Sequence, residues 1–201
     1  MKTEFTDGGF PLTVIDNFYD DFDKVFAYAS SVSFTENEEN YPGKRSKRLH
    51  EINPELFDYF CEKLFSVFYE TPLTWSVDTS FHLISREDFV KVIHQDNNCL
   101  IAGVLYLETG TGGTDIYTVK DGVDNHRLHK YQLESIINKI DIQENHSLFE
   151  KSISIEAVKN RCVLYNANQW HAPNFKADKS RLTQPFFVEW IDSTSLPLTR
   201  I

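Results

Sequence analysis

Apolar residues recur at two different periods along this chain, and the change from one to the other divides it. After a short alternating run at Leu12-Thr13-Val14-Ile15, the positions Phe22, Val25, Phe26 and Ala29 follow helical spacing. The carboxylates of Asp20, Asp21 and Asp23 stand at the start of that helix, where its dipole favours them. A second helix is predicted to open at Asn53 with Pro54 in its first turn, and Phe57, Phe60, Leu64 and Phe68 form one stripe along it. Aromatic residues at this spacing are core far more often than a cofactor box, so both helices are expected to buttress one sheet.

From Thr74 onward the period becomes that of strands. Trp75 to Leu83 alternates imperfectly, Phe89 to Ile93 is expected as a strand leading into His94-Gln95-Asp96, and Leu100 to Leu107 is apolar enough for a strand buried on both faces. Gly110-Thr111-Gly112-Gly113 turns the chain into Thr114-Asp115-Ile116-Tyr117. No G-x-G-x-x-G or Walker pattern accompanies these glycines, which argues against a phosphate cradle. Residues 118–150 look like an insertion in the sheet, with an approximate helix from Asp124 to Ile140 that carries Leu128, Tyr131, Ile136 and Ile140. An insertion at this point can form a lid over the substrate. His126 and His129 within it read as surface histidines.

A length of 201 residues with no internal repeat or low-complexity linker predicts one domain, with a helical buttress at about 16–70 and a β core at about 75–190. The composition, 41% hydrophobic with 16 Phe and a single Met, excludes disorder and suits a sheet sandwich with a rigid aromatic core. A net charge of −10 disfavours nonspecific nucleic-acid binding. Lys44-Arg45-Ser46-Lys47-Arg48 runs against that charge; it reads as a solvated loop, with reception of an acidic substrate as the alternative. Cys61, Cys99 and Cys162 show no paired spacing, as expected of buried thiols in a reducing compartment. The first residues lack the apolar core of a signal peptide, and Cys99 to Leu107 is too short to span a bilayer, so a soluble cytoplasmic protein without membrane partners is expected.

The chemistry concentrates in four residues. In an extended chain, residues i and i+2 share a face, so His94 and Asp96 can reach one ion. His171 is the best-placed residue to complete a two-His-one-carboxylate triad, which on non-haem Fe(II) leaves positions open for a cosubstrate and O2. The polar connection from Ala172 to Ser180 reads as a hairpin whose return strand carries Arg181 back toward the metal, where a guanidinium grips a carboxylate bidentately. Thr183, two residues on, shares the face of Arg181 and adds a hydroxyl. Asp115 is expected at the pocket mouth, where it would favour a cationic substrate.

At these residues the chain resembles the Fe(II)/2-oxoglutarate-dependent dioxygenases, closest in flavour to their prolyl-hydroxylase-like branch. The resemblance is carried by Val92-Ile93-His94-Gln95-Asp96, by Ala102 to Leu107 with Gly112-Gly113-Thr114, by Asn160 to Tyr165, and by His171 to Arg181, and it covers roughly residues 75 to 190. Small phage-encoded and bacterial oxygenases are similar too, including at Tyr41 to Ser46. The resemblance implies a mainly β double-stranded β-helix, or jelly roll, with flanking helices. It implies His94, Asp96 and His171 as iron ligands and Arg181, where many hydroxylases place a lysine, as partner of the distal carboxylate of 2-oxoglutarate. Tyr106 adds a phenol hydrogen bond unless strand parity turns Leu105 inward instead. The implied activity is hydroxylation of a C–H bond in a peptidyl proline, an amino acid or another small metabolite, using Fe(II), 2-oxoglutarate and O2 and releasing succinate and CO2. The competing readings are a cupin-like metal enzyme that needs no 2-oxoglutarate, and a noncatalytic jelly-roll binding module.

Overall fold

The computed structural model describes residues 12–36, 43–67, 74–85, 87, 89, 91–124, 126–128, 130, 146–174 and 180–192. Its elements are β1 (Thr13–Ile15), α1 (Phe22–Ser31), β2 (Thr35–Glu36), β3 (Lys44–Arg48), α2 (Leu49–Ile52), α3 (Pro54–Ser66), β4 (Thr74–Ile84), β5 (Ile101–Tyr106), β6 (Gly113–Val119), β7 (Phe149–Ile155), β8 (Arg161–Asn166), β9 (His171–Asn174) and β10 (Arg181–Asp192). They build two antiparallel sheets, one of seven strands in the order β1-β8-β5-β10-β4-β3-β2 and one of three in the order β7-β6-β9. This is the jelly roll with flanking helices.

The helices form where the apolar spacing places them. Asn53 caps α3 by accepting a hydrogen bond from Leu56 N at 3.0 Å, and Pro54 occupies the first turn. Its stripe of Phe60, Cys61, Leu64 and Phe65 packs with α1 residues Val25 and Ala29 onto Phe81, Leu105 and Phe186 of the large sheet. Phe68, expected in that stripe, lies outside the described residues. Asp21 does not cap α1 through its side chain. Asp20 instead accepts from Tyr59 at 2.8 Å and pairs with Lys63 at 2.5 Å, tying the entry of α1 to α3.

The other face of the large sheet looks at the small one. Ala102, Val104 and Tyr106 of β5, Val163 and Tyr165 of β8 and Phe187 of β10 meet Ile116 of β6 and Ile155 of β7 in a second core. Strand parity divides each strand between the cores: Leu105 faces the helices and Tyr106 the space between the sheets. Gly103 sits where β5 passes closest to its neighbours, for a Cβ there would lie 2.2 Å from the Phe186 ring and 2.4 Å from the Val163 carbonyl oxygen.

Three expectations are revised. The basic run at 44–48 is not a solvated loop but the strand β3, next to the sheet edge and paired with β2 and β4. Lys91–Ile93 form no strand; only His94 pairs, through an isolated bridge to His171. β9 and β10 are not a hairpin, because β9 pairs with β6 in the small sheet while β10 pairs with β4 and β5 in the large one. A polar connection looks the same whether it turns back within a sheet or crosses to the other.

The insertion is bounded by Val119 and Phe149. Val123, Leu128 and Leu148 pack with Ile93, Tyr117, Phe149 and Trp170 on the outer face of the small sheet, so the described part covers that face rather than a pocket. His129, Tyr131, Ile136 and Ile140 lie outside the described residues. No described helix is long and apolar enough to cross a membrane.

Candidate metal centre

The His94–His171 bridge joins the two halves of the site. His94 N donates to His171 O and His171 N to His94 O, each at 2.9 Å, while Asp96 N is held by Ala167 O at 2.9 Å. Two imidazoles and one carboxylate therefore converge although His94 and Asp96 lie on no regular strand. His171 Nε2 is 3.4 Å and His94 Nε2 3.8 Å from the Asp96 carboxylate, and one potential ligand atom from each of the three lies within 4.8 Å of the others.

The outer nitrogens fix the ring tautomers. His94 Nδ1 donates to Val92 O and His171 Nδ1 to Gln169 O, both at 2.9 Å, which leaves each Nε2 with its lone pair directed at the cluster. Burial, and then the neighbouring His94, hold the His171 imidazole well below its ordinary pKa, so it stays neutral as a metal ligand requires. Burial raises the Asp96 carboxyl above the usual range, against the opposing pull of His94 and of Arg45. Three uncompensated metal-type donors facing one point, one anionic and two neutral, fit a divalent non-haem metal such as Fe(II). The His94 side chain is 32% exposed, so the cluster opens on that side.

Arg181 enters from the start of β10. It is 5% exposed; among the described residues it donates from Nη2 to Gly113 O at 3.4 Å and interacts with the Tyr106 phenol, while its Nε has no partner. The Tyr106 ring lies beneath the guanidinium, 5.6 Å from Cζ to the ring centroid. A buried guanidinium so poorly satisfied fits an anionic ligand better than a structural role. Thr183 is opposite Tyr106 in register and therefore on the same face; its hydroxyl reaches His82 O only at 3.5 Å. Tyr106 points inward, as one of the two parity readings expected, and its hydroxyl sits 2.7 Å from Thr114 Oγ1.

Tyr165, which the sequence did not single out, and Arg45, named there only within the basic run 44–48, also face this space. Tyr165 of β8 lays its ring against His171, with centroids 4.6 Å apart. Arg45 of β3 is opposite His82, which is opposite Thr183, so the three share one face. Asp115 moves the other way. It is 2% exposed among Lys91, Lys151, Ser154 and Asn174, on the face of β6 opposite to Thr114 and Ile116, and so is not at a pocket mouth.

The architecture is shared with 2-oxoglutarate-dependent oxygenases. HygX from Streptomyces hygroscopicus, solved with nickel and 2-oxoglutarate bound, superposes with a TM-score of 0.57 at 11% identity over 91% of this chain and 83% of that one. A structure described for prolyl 4-hydroxylases from Phytophthora capsici gives 0.51 at 15% identity, over 91% and 59%. SnoN, a non-haem alpha-ketoglutarate-dependent epimerase of nogalamycin biosynthesis, gives 0.50 at 9% identity, over 89% and 78%. At these identities the likeness is one of fold. No curated protein matches the sequence. The model of DUF6445, a family of unknown function, matches residues 2–186, and the chain belongs to that family.

Proposed function

We propose that this protein is an Fe(II)- and 2-oxoglutarate-dependent dioxygenase that hydroxylates a C–H bond of a small-molecule or peptidyl substrate. The observation that carries the reading is the pairing of two sites: His94, Asp96 and His171 offer three donors to one ion, and the guanidinium of Arg181 lies buried without a full set of partners. A dicarboxylate is the ligand that answers both, one end at a metal and the other at Arg181. The fold supports this, for HygX has been solved with iron, with nickel and 2-oxoglutarate, and with hygromycin B in addition.

Ferrous iron bound there, with 2-oxoglutarate and O2, would supply the oxidative decarboxylation to succinate and CO2 that oxidises a substrate C–H bond. The protein's own part is positional. The backbone carbonyls of Val92 and Gln169 accept from Nδ1 and so hold both imidazoles with Nε2 turned to the cluster. Arg181 and Thr183 hold the distal carboxylate, with the Tyr106 ring stacked beneath the guanidinium. The inner core of Val104, Ile116, Ile155 and Val163 keeps water from that end. Asp96 is the ligand whose retention favours hydroxylation over halogenation, since it occupies the position a halide would need.

The test is calorimetric. Protein loaded with Mn(II), a redox-inert stand-in, should bind 2-oxoglutarate only when the metal is present, and Asp96→Ala should abolish that binding. Equal binding with and without metal would contradict the proposal and favour a metal-independent binding module.

A further inference from the structure

Arg181 Nε is not alone in being shut off from solvent without a partner among the described residues: the hydroxyl of Thr111 is in the same position. The turn from β5 to β6 exposes Thr109 and Gly110 and then buries Thr111, which is 5% exposed. Gly110 and Gly112, with φ of 78° and 102°, bend the chain on either side of it. A groove runs along one side of this turn, lined by Gly110, Gly112, Gly113, Ile155, Ala157 and Asn174 but not by Thr111, so the Thr111 side chain lies on the other side. The start of β10 is tied to the turn at both ends. Leu107 N donates to Leu182 O at 3.3 Å and Glu108 accepts from Leu182 N at 2.9 Å, while Arg181 Nη2 donates to Gly113 O at 3.4 Å. The same guanidinium lies over Tyr106, the last residue of β5. Arg181 therefore touches residues on both sides of the short segment that carries Thr111, and Gly113 is only two residues away, a reach of at most about 7 Å along the chain. A buried hydroxyl without a partner destabilises a fold unless something else supplies the hydrogen bond.

We propose that Thr111 binds the cosubstrate, its hydroxyl donating to the distal carboxylate of 2-oxoglutarate beside Arg181. The assignment rests on the 2-oxoglutarate reading above and adds to it a residue of the β5–β6 turn. Its ligand is an oxygen anion, since a guanidinium N–H and a hydroxyl, both buried and unpaired, are two donors awaiting acceptors, and a carboxylate offers two oxygens.

Thr111→Val replaces the hydroxyl with a methyl of similar shape, and Thr111→Ser keeps the hydroxyl while dropping the methyl. The probes are 2-oxoglutarate and oxalate, titrated calorimetrically into Mn(II)-loaded protein; oxalate chelates a metal but has no chain to reach Arg181. In Thr111→Val the affinity for 2-oxoglutarate should fall roughly ten- to a hundredfold, as for loss of a hydrogen bond to a charged group. Affinity for oxalate should stay within about twofold. Thr111→Ser should bind 2-oxoglutarate within about fivefold of the wild type, and the thermal midpoint of ligand-free Thr111→Val should hold or rise, since an unpaired buried hydroxyl is gone. Wild-type affinity for 2-oxoglutarate in Thr111→Val would overturn the assignment. So would an equal loss of oxalate affinity, which would mark Thr111 as packing that supports the metal cluster, or a Thr111→Ser variant as weak as Thr111→Val. Should Thr111→Val not fold, Thr111→Ala must show the same selective loss, and wild-type affinity there rejects the assignment. A wild type that binds no 2-oxoglutarate with the metal present rejects the cosubstrate reading itself, whereas a wild type that binds it no better than Thr111→Val does rejects Thr111 only.

Discussion

Replacing Arg181 with methionine should separate binding from folding in opposite directions. In the ligand-free protein the guanidinium is 5% exposed, makes a 3.4 Å hydrogen bond to Gly113 O, and lies over Tyr106 at 5.6 Å with its phenol in reach. Burying a cation costs several kcal/mol. Against this, the cation–π contact returns about 0.5–2 kcal/mol and the long hydrogen bond about 1 kcal/mol at most. Methionine keeps comparable apolar length without the charge, so Arg181→Met should be at least as stable as the wild type without ligand. With ligand the sign reverses. Removing one partner of a buried, hydrogen-bonded charge pair costs about 2–5 kcal/mol, or roughly 30- to 5,000-fold in affinity for 2-oxoglutarate. Thermal unfolding of Mn(II)-loaded protein reads both effects. A cosubstrate at about 100 times its Kd stabilises by about 2.7 kcal/mol, roughly 5–10 °C in a domain of this size, and the variant should lose that shift while its unliganded midpoint holds or rises. A variant that is destabilised without ligand yet keeps the full 2-oxoglutarate shift would refute the reasoning and make Arg181 a structural residue.

Other substitutions and conditions test the rest. In the metal-free protein, His171 has a pKa below its ordinary 6.5, so the unfolded chain takes up the proton first; stability from this residue is complete above about pH 6.5 and lost as pH falls below it. Asp96, raised above 3.8, acts oppositely over a lower range, and denaturant midpoints measured from about pH 8 down to about pH 5 should therefore fall, a flat profile counting against a buried neutral His171. Gly113→Ala places a Cβ 1.7 Å from Ile155 O, forcing β6 from β7; chemical denaturation should show a loss of about 2 kcal/mol or more, and an unchanged midpoint would show that the close approach is not real. Asp115→Asn should cost about 1–3 kcal/mol through its contacts with Lys91, Lys151 and Ser154 while leaving the KM of an identified substrate unchanged, whereas a raised KM with intact stability would return Asp115 to the pocket. Burial raises the Cys61 and Cys99 thiols to about 12, and that of Cys162 still further, so the folded protein should react with a thiol reagent at mildly alkaline pH far more slowly than the unfolded chain; equal rates would contradict the burial.

Much of the site was legible because it rests on spacing. His94 and Asp96 are two residues apart, and that places them together whether the segment is a strand, as expected, or a short bridge to His171, as found. The convergence of His94, Asp96 and His171 therefore did not depend on the secondary structure being right. Arg181 and Thr183 were legible for the same reason, being two apart on one strand. Facing was not legible where both neighbours were apolar. Arg161-Cys162-Val163-Leu164-Tyr165-Asn166 is buried on both sides, so its pattern cannot tell that Tyr165 turns toward His171 and Leu164 toward the helices. Asp115 failed differently: a bulge follows Ile116, and the partners that neutralise the carboxylate come from Lys91 and Lys151, far away in sequence. The run at 44–48 contains no apolar residue to betray a strand. Its pairing comes from the exposed edge of β4, which only the assembled sheet supplies.

The central claim is that His94, Asp96 and His171 bind Fe(II) and that 2-oxoglutarate then bridges this ion to Arg181. The most direct measurement is an anaerobic titration of metal-free protein with Fe(II) and then 2-oxoglutarate, followed by visible absorption, with His94→Ala alongside. The account predicts a charge-transfer band that saturates at one cosubstrate per chain in the wild type and is absent from the folded variant. A folded wild-type protein that binds Fe(II) but gives no band with 2-oxoglutarate, or a band that survives His94→Ala, would contradict it.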